Sequence, residues 1–320
     1  MDPLSDVLRT TPLRGGVFLH AEFSEPWCLS TRVRPETCAP YLGRTAEIIP
    51  YHFVVEGRLR VQMPGDSPFE LRAGELVMFP RNDLHLLGGD LRLRPVASDD
   101  VVKPPVGGRL SAIRIGGGGA PTRIVCGFLG GDNLGRNPVV AALPSALRLH
   151  LGQGGQAQWI RSTFSYAAEE IATGRLGSET VLAKISELLF VEAVRRYAEG
   201  LPAEHTGWLG GLRDPYVSHA LSLLHARPGD PWTAEALSRE VALSRSALAD
   251  RFNRLIGVPP MQYLTHWRMH IAAHELRQGN RSTLQLAKRV GYDSEAAFSR
   301  AFKRETGMPP AAWRRRAGET

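Results

Sequence analysis

Two short runs in the last third of the chain carry residue types suited to reading a nucleic acid. Ser244-Arg245-Ser246 is followed by Leu248, Phe252 and Leu255, and Ser294-Glu295-Ala296 is followed by Phe298 and Phe302. At helical spacing this leaves small and polar side chains on one face and apolar ones underneath. Arg300 and Arg304 lie one turn apart in the second run, and Arg254 holds the matching place in the first. Side chains at the start of such a helix can meet base edges in a major groove while others hold the backbone. Phe252 and Phe302 read as core beneath these faces rather than as intercalating wedges. In the front half, His52, Arg81 and His85 are polar candidates among apolar stretches that could wall a pocket for an organic molecule. Cys28 and Cys126 suggest a second chemistry. A redox sensor needs an exposed, readily ionised thiol, and Arg32 and Arg34 lie near Cys28 and Cys38. A buried cysteine is otherwise a small apolar residue.

The elements that would position the nucleic-acid faces repeat. LSREVALSRSALADRFNRLIGVPP and LAKRVGYDSEAAFSRAFKRETGMPP match Leu237 with Leu286 and Val241 with Val290 at an offset of 49. After one extra turn residue, Phe252, Arg254, Gly257, Pro259 and Pro260 match Phe302, Arg304, Gly307, Pro309 and Pro310 at an offset of 50. Each unit is a short helix, a turn, a second helix and Gly-x-Pro-Pro, a helix-turn-helix that occurs twice. Caps are expected from Asp214, Thr233, Ser244, Asp293 and the capping-box spacing Ser282 to Gln285, with Pro260 and Pro310 opening two further helices. The long helix between the units would carry Tyr263, Trp267 and Ile271 on one side.

The front half reads differently. EIIPYHFVVEG, GRLRVQM and ELVMFP are short strand-like runs separated by Gly57 and the turn Ala73-Gly74, and Gly116 to Gly119 cannot hold a helix. SETVLAKISELLFVEAVRRYAEG then has helical spacing, with Val181, Ile185, Leu188 and Leu189 on one side, followed by Ala193 and Val194. Charge separates the regions further. From Arg213 to Thr320, 17 Lys and Arg meet 10 Asp and Glu, and the rest of the 39 and 32 leaves 22 of each in residues 1–212. The whole excess of +7 therefore sits in the helical third, as a polyanion-binding module on a neutral body would require. Arg314-Arg315-Arg316 fits phosphate contact or plain solvation. Three scattered cysteines exclude a disulfide framework and a cysteine zinc site, no apolar run suggests a membrane span, and the start lacks a secretory pattern. No serine triad, phosphate loop or dinucleotide fingerprint is present.

GYDSEAAFSRAFKRETGMPPAAWRR, preceded by WRMHIAAHEL, resembles the DNA-binding domain of AraC/XylS-type transcriptional regulators over residues 214–316. The resemblance implies two helix-turn-helix units fixed by one long helix, their recognition helices entering successive major grooves. It implies base-reading positions at Arg245, Ser246, Ala249 and Asp250 in the first unit and Glu295, Ala296, Ser299 and Arg300 in the second. Asp250 departs from the arginine common there. An aspartate can accept from cytosine N4 or pair with a neighbour such as Arg251. HFVVEGRLRVQ with LRAGELVMFPRNDLHLL resembles the second-motif region of an AraC-binding-like cupin barrel, with Gly74, Pro80 and His85 at its spacing and Asn82 in place of glycine. The first motif's metal ligands would fall at Arg44, Ala46 and Pro50, so no metal is expected.

The expectation is an α+β multidomain chain. It has a cupin-like β-barrel effector domain over 1–130, a helical connector and dimerisation region over 131–206, and an all-α double helix-turn-helix domain over 207–320. The expected function is that of a cytoplasmic transcriptional regulator whose DNA binding responds to a small effector held by His52, Arg81 and His85. Its expected partners are double-stranded DNA, an unidentified effector, RNA polymerase and a second copy of the chain, with no catalytic residue, cofactor, metal or membrane. A thiol-sensing regulator using Cys28 or Cys126 and a metal-dependent cupin enzyme are the rival readings. Effector identity, target promoter and the direction of regulation are not written in the residues.

Overall fold

A computed structural model describes residues 2–11, 13–42, 47–102, 111–132, 134–150, 177–202, 204–279 and 281–318, with positions 158, 159, 162, 163, 166 and 169. The strands are β1 (Arg14–Ser24), β2 (Cys28–Thr31), β3 (Glu47–Glu56), β4 (Arg58–Gln62), β5 (Phe69–Arg72) and β6 (Leu76–Met78). They continue with β7 (His85–Gly88), β8 (Val96–Ala97), β9 (Ser111–Gly116), β10 (Pro121–Gly131) and β11 (Leu147–Leu149). The first helices are α1 (Pro3–Thr10), α2 (Pro35–Leu42), α3 (Ser98–Val101), α4 (Pro138–Ala141) and α5 (Ser178–Gly200). Then come α6 (Trp208–Gly211), α7 (Pro215–Ala226), α8 (Ala234–Glu240), α9 (Arg245–Ile256), α10 (Pro260–Gln278), α11 (Thr283–Arg289), α12 (Glu295–Thr306) and α13 (Pro310–Gly318). Among the described residues no helix is long and apolar enough to cross a membrane.

Contacts sort the chain into two interleaved units: Leu13–Arg136 with Leu143–Glu199, and Gly200–Thr320 with Met1–Pro12 and Asn137–Ala142. A linear division at 130 and 206 therefore does not describe the packing, because the first twelve residues group with the C-terminal helices.

The first unit holds two sheets, in the orders β11-β6-β3-β10-β1-β9 and β5-β4-β7-β2-β8. This corrects the barrel expectation, since the described strands do not close on themselves. At the corner Glu56-Gly57-Arg58 the chain leaves one sheet for the other instead of forming a hairpin. Gly57 takes φ +78 there, and a side chain would collide with the backbone of Pro121. Both sheets contribute to one core, with Phe23, Val54, Ile124 and Phe128 from the larger meeting Leu29, Leu59, Leu71 and Leu87 from the smaller. β3 is buried along most of its length because both faces are covered. Ile48 and Val54 enter the core between the sheets, whereas Tyr51 turns the other way and hydrogen-bonds Ser186 on α5 at 2.7 Å.

The apolar residues of α5 divide between two faces. Leu182, Leu189, Phe190, Ala193 and Val194 are buried, while Leu188 is 49% exposed and Val181 36%. Adjacent residues lie about 100° apart on a helix, so Leu188 and Leu189 cannot serve one stripe. The expected single stripe is thus an inward face plus an outward line through Val181, half-buried Ile185 and Leu188.

The second unit is helical, and most of its caps are local. Asp214, Thr233, Ser244 and Ser282 each accept from the first free N–H groups of the helix they open, and Ser282 completes a capping box with Gln285. One expectation shifts by a residue, because Ser294 rather than Asp293 caps α12, its hydroxyl accepting from Ala297 N–H. The extra residue of the second unit lies in its turn. Ala242 in the first turn has φ +55, where the second turn has Gly291 at φ +78. Helix α1 belongs to this unit, with Val7 fully buried and His270 bonded to the hydroxyls of Thr10 and Thr11. Asn137 donates to the Thr11 hydroxyl at 2.7 Å and caps α4.

Candidate nucleic-acid interface and ligand pocket

Helices α9 and α12 present the expected faces. Leu248, Phe252 and Leu255 are buried on α9, as are Phe298, Ala301 and Phe302 on α12. Phe252 and Phe302 are core residues, at 0% exposure. Ser244, Arg245, Ser246, Asp250 and Arg254 are exposed and Ala249 is half-buried. Ser294, Glu295, Ala296, Arg300 and Arg304 are exposed and Ser299 is half-buried. The Ser244 and Ser294 hydroxyls are partly committed, since each also accepts from the helix it caps. Between the two faces runs α10, whose 19 residues span about 28 Å, close to the roughly 34 Å turn of B-form DNA. Arg268 on α10 donates to the carbonyls of Pro228 and Asp230, both at 2.7 Å, so this arginine holds the loop ahead of α8.

Not every arginine near these faces is available to DNA. Arg251 donates to Asp214 at 2.6 Å and lies over the Tyr216 ring at 4.9 Å. It therefore does not neutralise Asp250, which forms no ion pair with any described residue and stays turned to solvent. Arg245 pairs with Glu235 at 2.7 Å while 70% exposed, a contact that motif spacing did not reveal. Arg304 approaches Glu305 only at 3.9 Å, and Arg314 donates to the Arg281 carbonyl.

Below this surface, Tyr263 organises a buried polar chain. Trp208 Nε1 donates to the Tyr263 oxygen at 2.7 Å, and the hydroxyl is 2.7 Å from His225 Nε2. Tryptophan can only donate, so the hydroxyl proton goes to His225 and the histidine proton sits on Nδ1. That Nδ1 is 3.8 Å from the buried Asp6 carboxylate. Burial pushes the His225 pKa down to about 3 and His270 to about 4.

The sheet unit brings together residues that the sequence offered separately. His52 on β3 is directly opposite Cys126 on the antiparallel neighbour β10, so both side chains enter the core on one face. His85 arrives from the other sheet, paired with Thr31 and stacked on Phe79 at 3.6 Å. The contacts form a chain: Cys126 Sγ to His52 Nδ1 at 2.9 Å, His52 Nε2 to His85 Nε2 at 3.1 Å, and His85 Nδ1 to the Asp83 carbonyl at 2.9 Å. The carbonyl fixes the proton order, because it can only accept. His85 donates from Nδ1, His52 donates from Nε2, and the Cys126 thiol donates to His52 Nδ1. All three groups are then neutral. Burial agrees, holding His52 well below the usual imidazole range, His85 at about 4 and Cys126 above the usual thiol range.

Burial also raises Cys28 and pushes Cys38 up to about 12, and all three cysteines are free and buried. Neutral, enclosed thiols are poor nucleophiles, which disfavours oxidation in this conformation. His52 turns different nitrogens to Cys126 and His85, so the trio does not converge on one point. Among the described residues no group of three His, Cys, Asp or Glu is arranged to hold a metal ion. Expected first-motif positions 44 and 46 lie outside the described residues.

A small cavity opens beside this chain. His52 and Cys126 line it; His85 stands behind His52, and Arg81 turns away to donate to the Leu143 carbonyl at 3.1 Å. Asn82 explains its place in the motif. It takes φ 52, a conformation usual for glycine and tolerated by asparagine, and its amide bonds both backbone groups of Val33.

Comparison with known proteins matches residues 2–199 to a cupin family and residues 237–316 to a helix-turn-helix domain family. A putative AraC-like transcription regulator of Streptomyces lividans is 31% identical, the match covering 98% of each chain. The HTH-type transcriptional regulator AlkR of Acinetobacter baylyi is 25% identical over 99% of this chain and all of its own. Among solved structures, the DNA-binding domain of AdpA in complex with a target DNA is 29% identical. It covers 32% of this chain and 90% of its own, with a TM-score of 0.30.

Proposed function

This chain belongs to the AraC-like transcription regulators, with a cupin domain and a helix-turn-helix domain, and we propose that it binds specific double-stranded DNA under control of a small effector. The observation that carries the reading is the pair of capped, solvent-facing helices α9 and α12 on one 19-residue connecting helix. In this reading α9 contributes Arg245, Ser246, Ala249 and Asp250 to base edges, and α12 contributes Glu295, Ala296, Ser299 and Arg300. Arg254 and Arg304 hold phosphates, and Ser244 and Ser294 fix the helix starts against the backbone. Arg245 exchanges Glu235 for DNA on binding.

The effector enters the cavity beside His52, with His85 supporting that histidine from behind. Relatives named as regulators support regulation rather than catalysis as the role of the cupin domain. The outward line of Val181, Ile185 and Leu188 supports a dimer contact, and the bound dimer acts on RNA polymerase in the cytoplasm. Selection of binding sites from genomic fragments tests the reading. Enriched fragments should share one motif with two elements about one helical turn apart. Salt-sensitive binding without a common motif would leave only non-specific affinity and overturn it.

A further inference from the structure

The two recognition helices are not equivalent in charge. At the offset of 50 that aligns them, Arg245 falls at Glu295 and Asp250 at Arg300, so both positions carry opposite signs in the two units. Their surroundings differ as well. Glu235 on α8, which pairs with Arg245 at 2.7 Å, has Leu284 as its counterpart on α11. Asp250, Glu295 and Arg300 are exposed and form no ion pair with any described residue. Arg251, the next residue along from Asp250, is committed to Asp214 at 2.6 Å.

Helix geometry sets where these groups stand. Asp250 is two residues from both Leu248 and Phe252, about 160° around the helix from each, which places it opposite the buried face. Arg300 stands in the same way between Phe298 and Phe302. A helix lying in the major groove turns this outermost line to the groove floor and its flanks to the phosphates. A carboxylate at a flank would meet like charge, since the duplex carries one phosphate charge per about 1.7 Å. At the floor an ionised carboxylate needs a donor, because it can only accept. Cytosine offers its N4 amino group there with no acceptor of its own beside it. Adenine sets the N7 acceptor next to its N6 amino group, and guanine and thymine present acceptors.

We infer that Asp250 selects cytosine in the element read by α9, opposite in chemistry to the guanine that Arg300 selects at the equivalent place on α12. The DNA site therefore consists of two unlike elements, which fix the direction in which the chain lies on it. This rests on the reading of the chain as a sequence-specific DNA-binding regulator and adds what its first recognition helix reads.

Selection from a random duplex library with the full-length protein, Asp250→Ala and Asp250→Asn, followed by anisotropy titration of the selected duplexes at equal salt, tests the inference. The unaltered protein should enrich two unlike elements, one of them with a fixed cytosine. Asp250→Asn, whose amide matches adenine N6 and N7, should exchange that cytosine for adenine and leave the other element unchanged. Asp250→Ala should reduce discrimination between cytosine and adenine at that position from about fivefold or more to near one. It should also bind a scrambled duplex at least as tightly as the unaltered protein, since a negative charge has gone, and that reading shows that the fold is intact. Two matching elements, or a motif that both Asp250 substitutions leave unchanged, would overturn the inference and leave the regulator reading standing. Salt-dependent binding of the unaltered protein with no motif at all would reject the regulator reading, and the inference with it.

Discussion

Acid should weaken this protein over a definite pH interval, because several histidines are folded in the neutral form. His85 is held at about 4, His225 at about 3 and His270 at about 4, each chiefly by burial, against an ordinary value of about 6.5. Above pH 6.5 both folded and unfolded chains leave these rings neutral, and the full stability is present. As pH falls below 6.5 the unfolded chain takes up protons that the folded chain refuses, so stability is lost down to the folded values. At roughly 1.4 kcal/mol per pH unit, a histidine held near 4 loses on the order of 1 kcal/mol by pH 5.5 and about 3 kcal/mol at the limit. His225 and His270 share the helical unit, whose loss at pH 5.5 should therefore be roughly twice the single-ring value. Denaturant melts at pH 7.5 and 5.5 measure the difference. His270→Gln keeps a partner for the Thr10 and Thr11 hydroxyls and removes one titrating ring, so it should recover about half of that loss. Equal stability at the two pH values would mean that these rings ionise freely when folded, contrary to their burial and hydrogen bonding.

Four further outcomes follow from the packing. Ala242→Gly should stabilise the helical unit by about 1 kcal/mol by relieving a left-handed alanine, as chemical melts would read. By the same assay Gly291→Ala should destabilise it by more, because its Cβ would also meet the Gly229 carbonyl and the Arg268 guanidinium. Leu188→Glu should leave a folded chain with weakened self-association in analytical ultracentrifugation, while Leu189→Glu, at a fully buried position, should unfold the sheet unit. A fragment beginning at residue 207 should bind DNA with steep salt dependence in fluorescence anisotropy, yet melt below the full-length helical unit because α1 and its buried Val7 are missing. Arg251→Ala should lower stability by about 1–3 kcal/mol, since it leaves the Asp214 carboxylate of the α7 cap without its ion pair.

What the sequence revealed depended on distance along the chain. The caps at Thr233, Ser244 and Ser282 are local, because a side chain bonds a backbone group two or three residues away, and they were legible. Ser294 displaced Asp293 because both are good caps and only the turn geometry separates them. The helix-turn-helix faces were legible for the same reason, each burying apolar residues at helical spacing. Contacts that join distant segments were not. Nothing in the spacing of His52, His85 and Cys126 shows that β3 and β10 pair in the register that sets His52 against Cys126, or that His85 meets them from the other sheet. Arg81 looked equivalent to its histidine neighbours because the turn at Asn82, which directs it elsewhere, rests on a bond to Val33, 49 residues away. Likewise, Val7 belongs to the helical core only because α1 returns to it.

Reading of sequence by α9 and α12 stands or falls on Arg300. This side chain is exposed midway along α12, away from the face that buries Phe298 and Phe302. A bidentate arginine–guanine contact contributes about 1–3 kcal/mol of discrimination, whereas a phosphate contact carries no sequence information. Arg300→Ala, titrated by fluorescence anisotropy against the selected site and a scrambled duplex at equal salt, should lose about 5- to 150-fold on the selected site and little on the scrambled one. Arg316→Ala, in the last turn of α13, should weaken both duplexes by a similar factor. Equal loss on both duplexes for Arg300→Ala would make it a backbone contact and contradict the assignment of the second recognition face.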